Sequence, residues 1–555
     1  MWLDECRTNH RQCNVFNLSY MPTRVLQVFG GPDPSGPPSL HVRLVENPEP
    51  GPYATLSYCW GGDQHFKTTK ERLPGYQREI ALDTLAQTIR DAVTVTHGIG
   101  IRYLWIDALC IIQDDNDDKM KEISNMHHIY RGSLFTIAAT TAASSSAGFL
   151  QPRTTYRPFK LRVKTDDDSQ REVAMMPTRS RQDQQVYPLY TRSWTFQEGQ
   201  LSTRTFAYGN RGMVYSCFES KHCDGGHQHP VRNRGSNEDA ISGIFKNLDP
   251  GSQLHGTATH PFAWGDIVDA YTQRRLTFAD DKLLAITAIA EEYLRTKPVT
   301  EYLAGMWAAD LLYQCLWRRA RSTRRDLVSS FTRPAAYRAP SWSWATLDGH
   351  VNLPLYTHRL GLTTPQYNFS CQLIDARVTR CDGAGPFGSV KGGQMRLRGR
   401  IRRVIWVSPK EYNQETDGVP SDGYGWAHGD PDDKWQQPGK IPGDDRLDFN
   451  IDIISEWLAN SKIALWCVEL CTSLAQGNVM EIAKNKLYDE RGSSSILEGH
   501  GLLLEPVNQE TAGEPTFRRA GAIGFKGLPV GDPFFDRWPY WFDDGESVWR
   551  EIVIV

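Results

Sequence analysis

The sequence predicts an α/β protein with a parallel-sheet core, a helical elaboration after it, and a mostly antiparallel β region toward the C-terminus. Three observations carry this. From Tyr53 to Leu150 short β-rich runs alternate with amphipathic segments, the pattern of βαβ units. A second helical stretch spans about 262 to 320 and contains DKLLAITAIAEEYL and AGMWAADLLYQCLW. Beyond it, MRLRGRIRRVIWV, SKIALWCVEL, HGLLLEPV, RRAGAIGF and WREIVIV are short alternating or β-branched runs. At 555 residues the chain exceeds the roughly 250–300 residues that one core fills, so two or three folded units are expected.

In order along the core, YATLSYCW reads as a strand that runs into a loop at Gly61 and Gly62. LDTLAQTIRDAVTVTHGIG places Leu85, Ile89, Ala92, Val93 and Thr96 on one helical face and stops at glycine. YLWID is a second strand. DDNDDKMKEISNMHHIY begins with acids suited to the positive end of a helix dipole, and repeats Met120, Ile123, Met126 and Ile129 as its apolar side. LFTIAATTA is a third strand. After a connector from about 153 to 185 the pattern recovers at YPLYTRSWTFQEGQLSTRTFAYG. The expected divisions are a lead-in at 1–50, the α/β core at 51–215, a helical extension at 216–355 and a β-rich region at 356–555, interrupted by a Pro-, Gly- and Asp-dense loop at 408–448.

Composition excludes several classes of function. A net charge of −3 supplies no broad basic field for nucleic acid or an anionic membrane. The opening MWLDECRTNHRQCNVF mixes acids, bases and cysteines, so no secretory leader is expected, and no run of about 18 apolar residues predicts a membrane span. The 11 cysteines are odd in number and scattered, often inside apolar runs, as reduced packing thiols of a cytoplasmic protein would be.

In an open parallel sheet, functional groups collect outside the carboxyl ends of the strands. Three clusters fall at such ends: Ser57, Tyr58, Cys59 and Trp60; Asp107 and Cys110; and Trp194, Gln197 and Glu198. If they converge, two carboxylates meet among aromatic rings, a setting that raises a pKa and suits acid–base work. Glu198 and Asp107 are therefore the catalytic candidates. Asp107 also reads as a helix-capping residue, and Glu198 as half of a buried ion pair with Arg192 or Arg204. Tyr58, Trp60, Cys110, Trp194 and Gln197 are the candidate substrate-binding residues, joined by Trp342 and Trp344 of APSWSWATLDG, whose spacing of two puts both indoles on one face if the segment is a strand.

No metal and no cofactor is expected. Cys217, His222, Cys223, His227 and His229 are zinc-capable residue types without finger spacing, and Cys6, His10 and Cys13 form a weaker trio. GAGPFG at 383–388 matches the dinucleotide-loop spelling but lacks the strand before it and the apolar helix after it. DDNDD reads as a helix start rather than a cation loop.

The motifs YATLSYCWGG, LAQTIRDAVTVTHGIGIRYLWIDALCIIQDD, MHHIYRGSLFTIAATTAASSSAGFL, PLYTRSWTFQEGQLSTRTFAYG and APSWSWATLDG resemble, in order, those of the fungal heterokaryon-incompatibility (HET) domain family. The resemblance covers about Trp2 to Val351. It implies a Rossmann- or TIR-like sheet and an intracellular role in non-self recognition and cell death, with homo-oligomers or other incompatibility proteins as partners. It also implies a possible NAD-cleaving glutamate at Glu198 or Asp107. The family follows its WTxQE motif with Arg-x-Leu-Ser, whereas Gly199 and Gln200 stand here; if that arginine pairs with the glutamate in the family, its absence leaves Glu198 freer. Two functional readings follow. One is a death effector that signals by oligomerisation or NAD loss. The other is a HET-like scaffold recruited as a cofactor-free cyclase, such as a Diels–Alderase of secondary metabolism, that folds a small apolar substrate.

Overall fold

The computed structural model describes residues 2–14, 20–31, 39–152, 159–164, 170–175, 187–210, 212–224, 263–295, 300–320, 332–353, 367–407, 427–428, 447–451, 462–476, 495–507, 515–529 and 548–555. It divides into two compact units. The first comprises Met1–His260, Arg274–Leu276 and Ala288–Thr296; the second comprises Pro261–Gln273, Thr277–Thr287 and Lys297–Val555. The fold is mixed α/β, with a parallel-containing sheet in the first unit and a separate, mostly antiparallel sheet in the second. Among the described residues no helix is long and apolar enough to cross a membrane.

The first unit begins with helix α1 (Trp2–Asn9) and the hairpin β1 (Arg24–Gly31) and β2 (Ser39–Glu46). Next come β3 (Tyr53–Ser57), α2 (Leu73–Arg78), α3 (Gln87–Gly98), β4 (Tyr103–Trp105), α4 (Asp107–Cys110), α5 (Asn116–Gly132) and β5 (Phe135–Ala138). A separate hairpin, β6 (Phe159–Lys164) and β7 (Gln170–Met175), precedes α6 (Trp194–Leu201), β8 (Arg204–Tyr208), β9 (Met213–Cys217) and β10 (Lys221–Cys223).

Eight strands form one sheet in the order β10-β9-β8-β5-β3-β4-β1-β2. Its centre, β8-β5-β3-β4, is parallel, and antiparallel pairs close both sides. Every residue of β3, β4 and β5 is buried, as parallel strands covered on both faces require. The chain passes from β3 to β4 on one side and then to β5 on the other, so the strand order reverses at β3. Open α/β sheets present their ligand crevice at such a switch point.

The expected face of α3 is the buried one: Leu85, just before the helix, and Ile89, Ala92, Val93 and Thr96 are all buried. Helix α5 differs. Met126 and Ile129 are buried, but Met120 is 52% exposed. A spacing of three falls short of a 3.6-residue turn by about 60° at each step, so the three steps from Met120 to Ile129 carry the side chain to the opposite face. The acidic run is a helix start, since the Asp115 side chain accepts from the backbone N–H groups of Asp117 and Asp118.

In the second unit the long strands Val390–Val407, Lys462–Gln476, Ser495–Pro506 and Thr516–Pro529 pair antiparallel with their sequence neighbours or with one another, while Val548–Ile554 adds one short parallel pairing. GAGPFG lies in the turn between the antiparallel strands Gln372–Arg380 and Val390–Val407, which removes its dinucleotide reading. Most of the expected loop at 408–448 lies outside the described residues.

Candidate functional site

Ser57 ends β3 at the switch point, and its hydroxyl donates to Glu198 Oε2 at 2.5 Å. The sequence leaves the strand position of the Glu198 segment open; Glu198 lies on α6, which packs against β3. Three residues on from Ser57, Trp60 donates its indole N–H to Asp107 Oδ2 at 2.8 Å. The other Asp107 oxygen accepts from the Ala108 N–H at 2.6 Å, fixing the carboxylate at the first residue of α4. The three sequence clusters therefore converge: β3 supplies Ser57, Tyr58 and Trp60, the end of β4 supplies Asp107, and α6 supplies Glu198.

Burial first raises the Glu198 carboxyl to about 7, and the Asp107 charge adds to it, while the Ser57 hydrogen bond and Arg192 oppose the shift. Asp107 is raised as well, again by burial first, against the Trp60 hydrogen bond and Arg192. The Arg192 guanidinium donates to the Tyr58 carbonyl at 2.8 Å and acts on both carboxylates through space. Arg204 is directed elsewhere, to Cys6 Sγ, Cys13 O and Asn14 Oδ1. Tyr58 and Tyr130 complete the surroundings, both held protonated by burial; Tyr130 donates to the Leu56 carbonyl at 3.3 Å, and the Tyr58 hydroxyl faces the Asp107 carboxylate.

A cleft of about 620 Å³ opens beside this cluster, and Trp60 belongs to both. Its lining is mostly polar: Asp63, Gln64, His65, Gln87, Arg90, Gln151 and the serine turn Ser144–Ser146. The cleft depends on Gly61, whose φ is +75° and whose position would put a Cβ 2.3 Å from Ser144 Cβ. Only glycine lets the loop after β3 lie against the serine turn, where the Ser145 N–H donates to the Trp60 carbonyl at 3.1 Å.

The remaining candidates divide. Gln197 is buried and points its amide at Met126 Sδ, 3.8 Å away, on α5. Trp194 opens α6 and is half-buried. Cys110 is fully buried, with its sulfur taking the Ile106 N–H at 3.4 Å and its thiol pushed up to about 12 by burial, so it is protonated packing. Trp342 and Trp344 are fully buried in the second unit's core, where the Trp344 N–H donates to the Gly305 carbonyl at 2.7 Å. Trp344 begins a 3-10 turn, Trp344–Thr346, capped by Ser343, and the expected strand does not form. The cleft-lining Arg90 and the serine turn escaped sequence reading because they come from a helix side and a loop with no chemical spacing.

Residues 53–198 match the family model described as heterokaryon incompatibility protein (HET). The chain carries a HET domain. No curated protein and no solved structure matches the chain. The HET match begins at the first residue of β3 and ends on Glu198, so both partners of the 2.5 Å hydrogen bond lie inside it. At the departure after the WTFQE motif, Gly199 is exposed, and a Cβ there would meet nothing within 4 Å beyond its chain neighbours.

Proposed function

We propose that this protein is a heterokaryon-incompatibility effector of fungal type whose HET domain hydrolyses the nicotinamide–ribose bond of NAD in a TIR-like manner. The observation that carries this reading is the convergence of Glu198 and Asp107 at the end of β3, beside a polar cleft whose lining includes Trp60, the residue that donates to Asp107. A volume of about 620 Å³ falls within the range of small-ligand sites. Arg90 and the serine turn suit a diphosphate, and Trp60 offers a ring face.

Hydrolysis breaks the bond between ribose C1′ and the nicotinamide nitrogen, joins a water oxygen to C1′, and releases nicotinamide and a proton. The leaving step builds positive charge on the ribose, which a carboxylate stabilises. Asp107, nearer the cleft through Trp60, is assigned that role. Glu198, with a carboxyl near 7, is matched to take the proton of the attacking water at neutral pH. The Tyr58 hydroxyl faces Asp107 and stabilises its charged form.

The alternative, a cofactor-free cyclase for an apolar substrate, needs an aromatic pocket. Two of its candidate aromatics, Trp342 and Trp344, are packed in the second unit, and the cleft beside Asp107 is polar. Expression in a fungal host tests the effector role. The wild-type chain should arrest growth and Glu198→Gln should not; equal growth with both would remove the effector reading.

A further inference from the structure

We propose that Cys6, His10, Cys13 and Cys217 form a structural zinc site that clips the N-terminal segment to the edge of the HET-domain sheet. The sequence separates them into a trio and a distant cysteine, but the structure brings one ligand atom from each within 4.8 Å of every other. Cys6 lies on α1, His10 follows one helical turn later, and Cys13 sits in the 3-10 turn Gln12–Asn14. Cys217 ends β9. The Cys217 sulfur is 3.3 Å from His10 Nδ1. In a tetrahedral zinc site, with Zn–S about 2.3 Å and Zn–N about 2.0 Å, ligand atoms lie roughly 3.5–3.8 Å apart, so closure requires movements of at most about 1 Å.

A second observation points the same way. Arg204 stands opposite Cys217 in the antiparallel β8–β9 pair and is only 1% exposed. Among the described residues its hydrogen-bond partners are Cys6 Sγ at 3.2 Å and the neutral oxygens of Cys13, Asn14 and Leu134, and no carboxylate stands among them to compensate this buried cation. Three thiolates and a neutral imidazole around Zn²⁺ carry one net negative charge, which the guanidinium neutralises through its contact with Cys6. The Ser220 N–H and hydroxyl also reach the Cys217 sulfur, at 3.3 and 3.2 Å, as donors to a metal-bound thiolate do. All three cysteines are buried, and four protein ligands leave no open position, which fits a structural ion rather than a catalytic one.

The full chain, expressed with zinc in the medium and purified under reducing conditions, is the material for the test. Elemental analysis should find about one zinc per chain, and replacement by Co²⁺ should give the visible absorption of a tetrahedral thiolate complex. Cys13→Ser and Cys217→Ser should lose most of the metal and that absorption, while Cys223→Ser, on the neighbouring strand, should keep both. If the serine variants do not fold, the wild-type chain still decides: metal far below one equivalent, or a Cys6, Cys13 or Cys217 disulfide found by non-reducing peptide mapping, overturns the site. Metal content is read without NAD, so this outcome is independent of the proposed hydrolysis.

Discussion

Ser57 and Glu198, 141 residues apart, meet through a 2.5 Å hydrogen bond at the end of the central strand, and both are almost wholly buried. A carboxylate in that position is stable in its charged form only through its neighbours, because burial alone favours the proton. Its titration therefore affects the stability of the fold as well as any chemistry.

The Glu198 carboxyl stands at about 7 in the folded protein against an ordinary value of 4.5. The native state binds the proton more tightly than the unfolded chain, so the associated stability is complete below pH 4.5 and is lost as pH rises through 7. The shift corresponds to at most about 3 kcal/mol. Urea midpoints taken at about pH 5 and about pH 8 should fall for the wild type and change less for Glu198→Gln, which keeps an acceptor for Ser57. Equal pH slopes in the two proteins would contradict this.

Asp107 satisfies the Trp60 indole and the Ala108 N–H with its two oxygens. Asp107→Asn retains one acceptor, whereas Asp107→Ala leaves both donors unsatisfied in a half-buried site. The alanine variant should lose about 1–3 kcal/mol, and the asparagine variant clearly less. Chemical denaturation ranks them, and a reversed order would show that Asp107 is not what holds Trp60.

Gly61 combines a left-handed backbone with a 2.3 Å approach to Ser144. Gly61→Ala should cost about 1–3 kcal/mol and force the two loops apart, weakening any ligand that lies between Trp60 and the serine turn. Gly62→Ala is the control: its φ of +140° strains a side chain, yet nothing crowds the site. Similar ligand affinity in the two variants would argue against a cleft closed by the Gly61 contact.

The parallel centre of the sheet was readable in the sequence because β3, β4 and β5 are continuous buried runs separated by helices with strong start and stop signals. The convergence of Asp107 with the end of β3 followed from the same pattern. Other features were not accessible to local pattern. The sequence leaves the strand position of TRSWTFQE open, whereas Trp194–Leu201 form the helix α6. The spacing of Trp342 and Trp344 matches a strand face, but the Ser343 cap turns the chain there into a 3-10 turn. Cys217 lies 204 residues beyond Cys13, so no spacing rule connects it to the N-terminal trio.

The measurement that bears most directly on the central claim is nicotinamide release from NAD by the purified full chain, alongside Glu198→Gln and Asp107→Asn. The wild type should release nicotinamide and ADP-ribose in equal amounts at neutral pH, and each variant should be slowed by about 100-fold or more. Intact NAD after long incubation with wild-type protein at high concentration, or undiminished turnover in both variants, would contradict it.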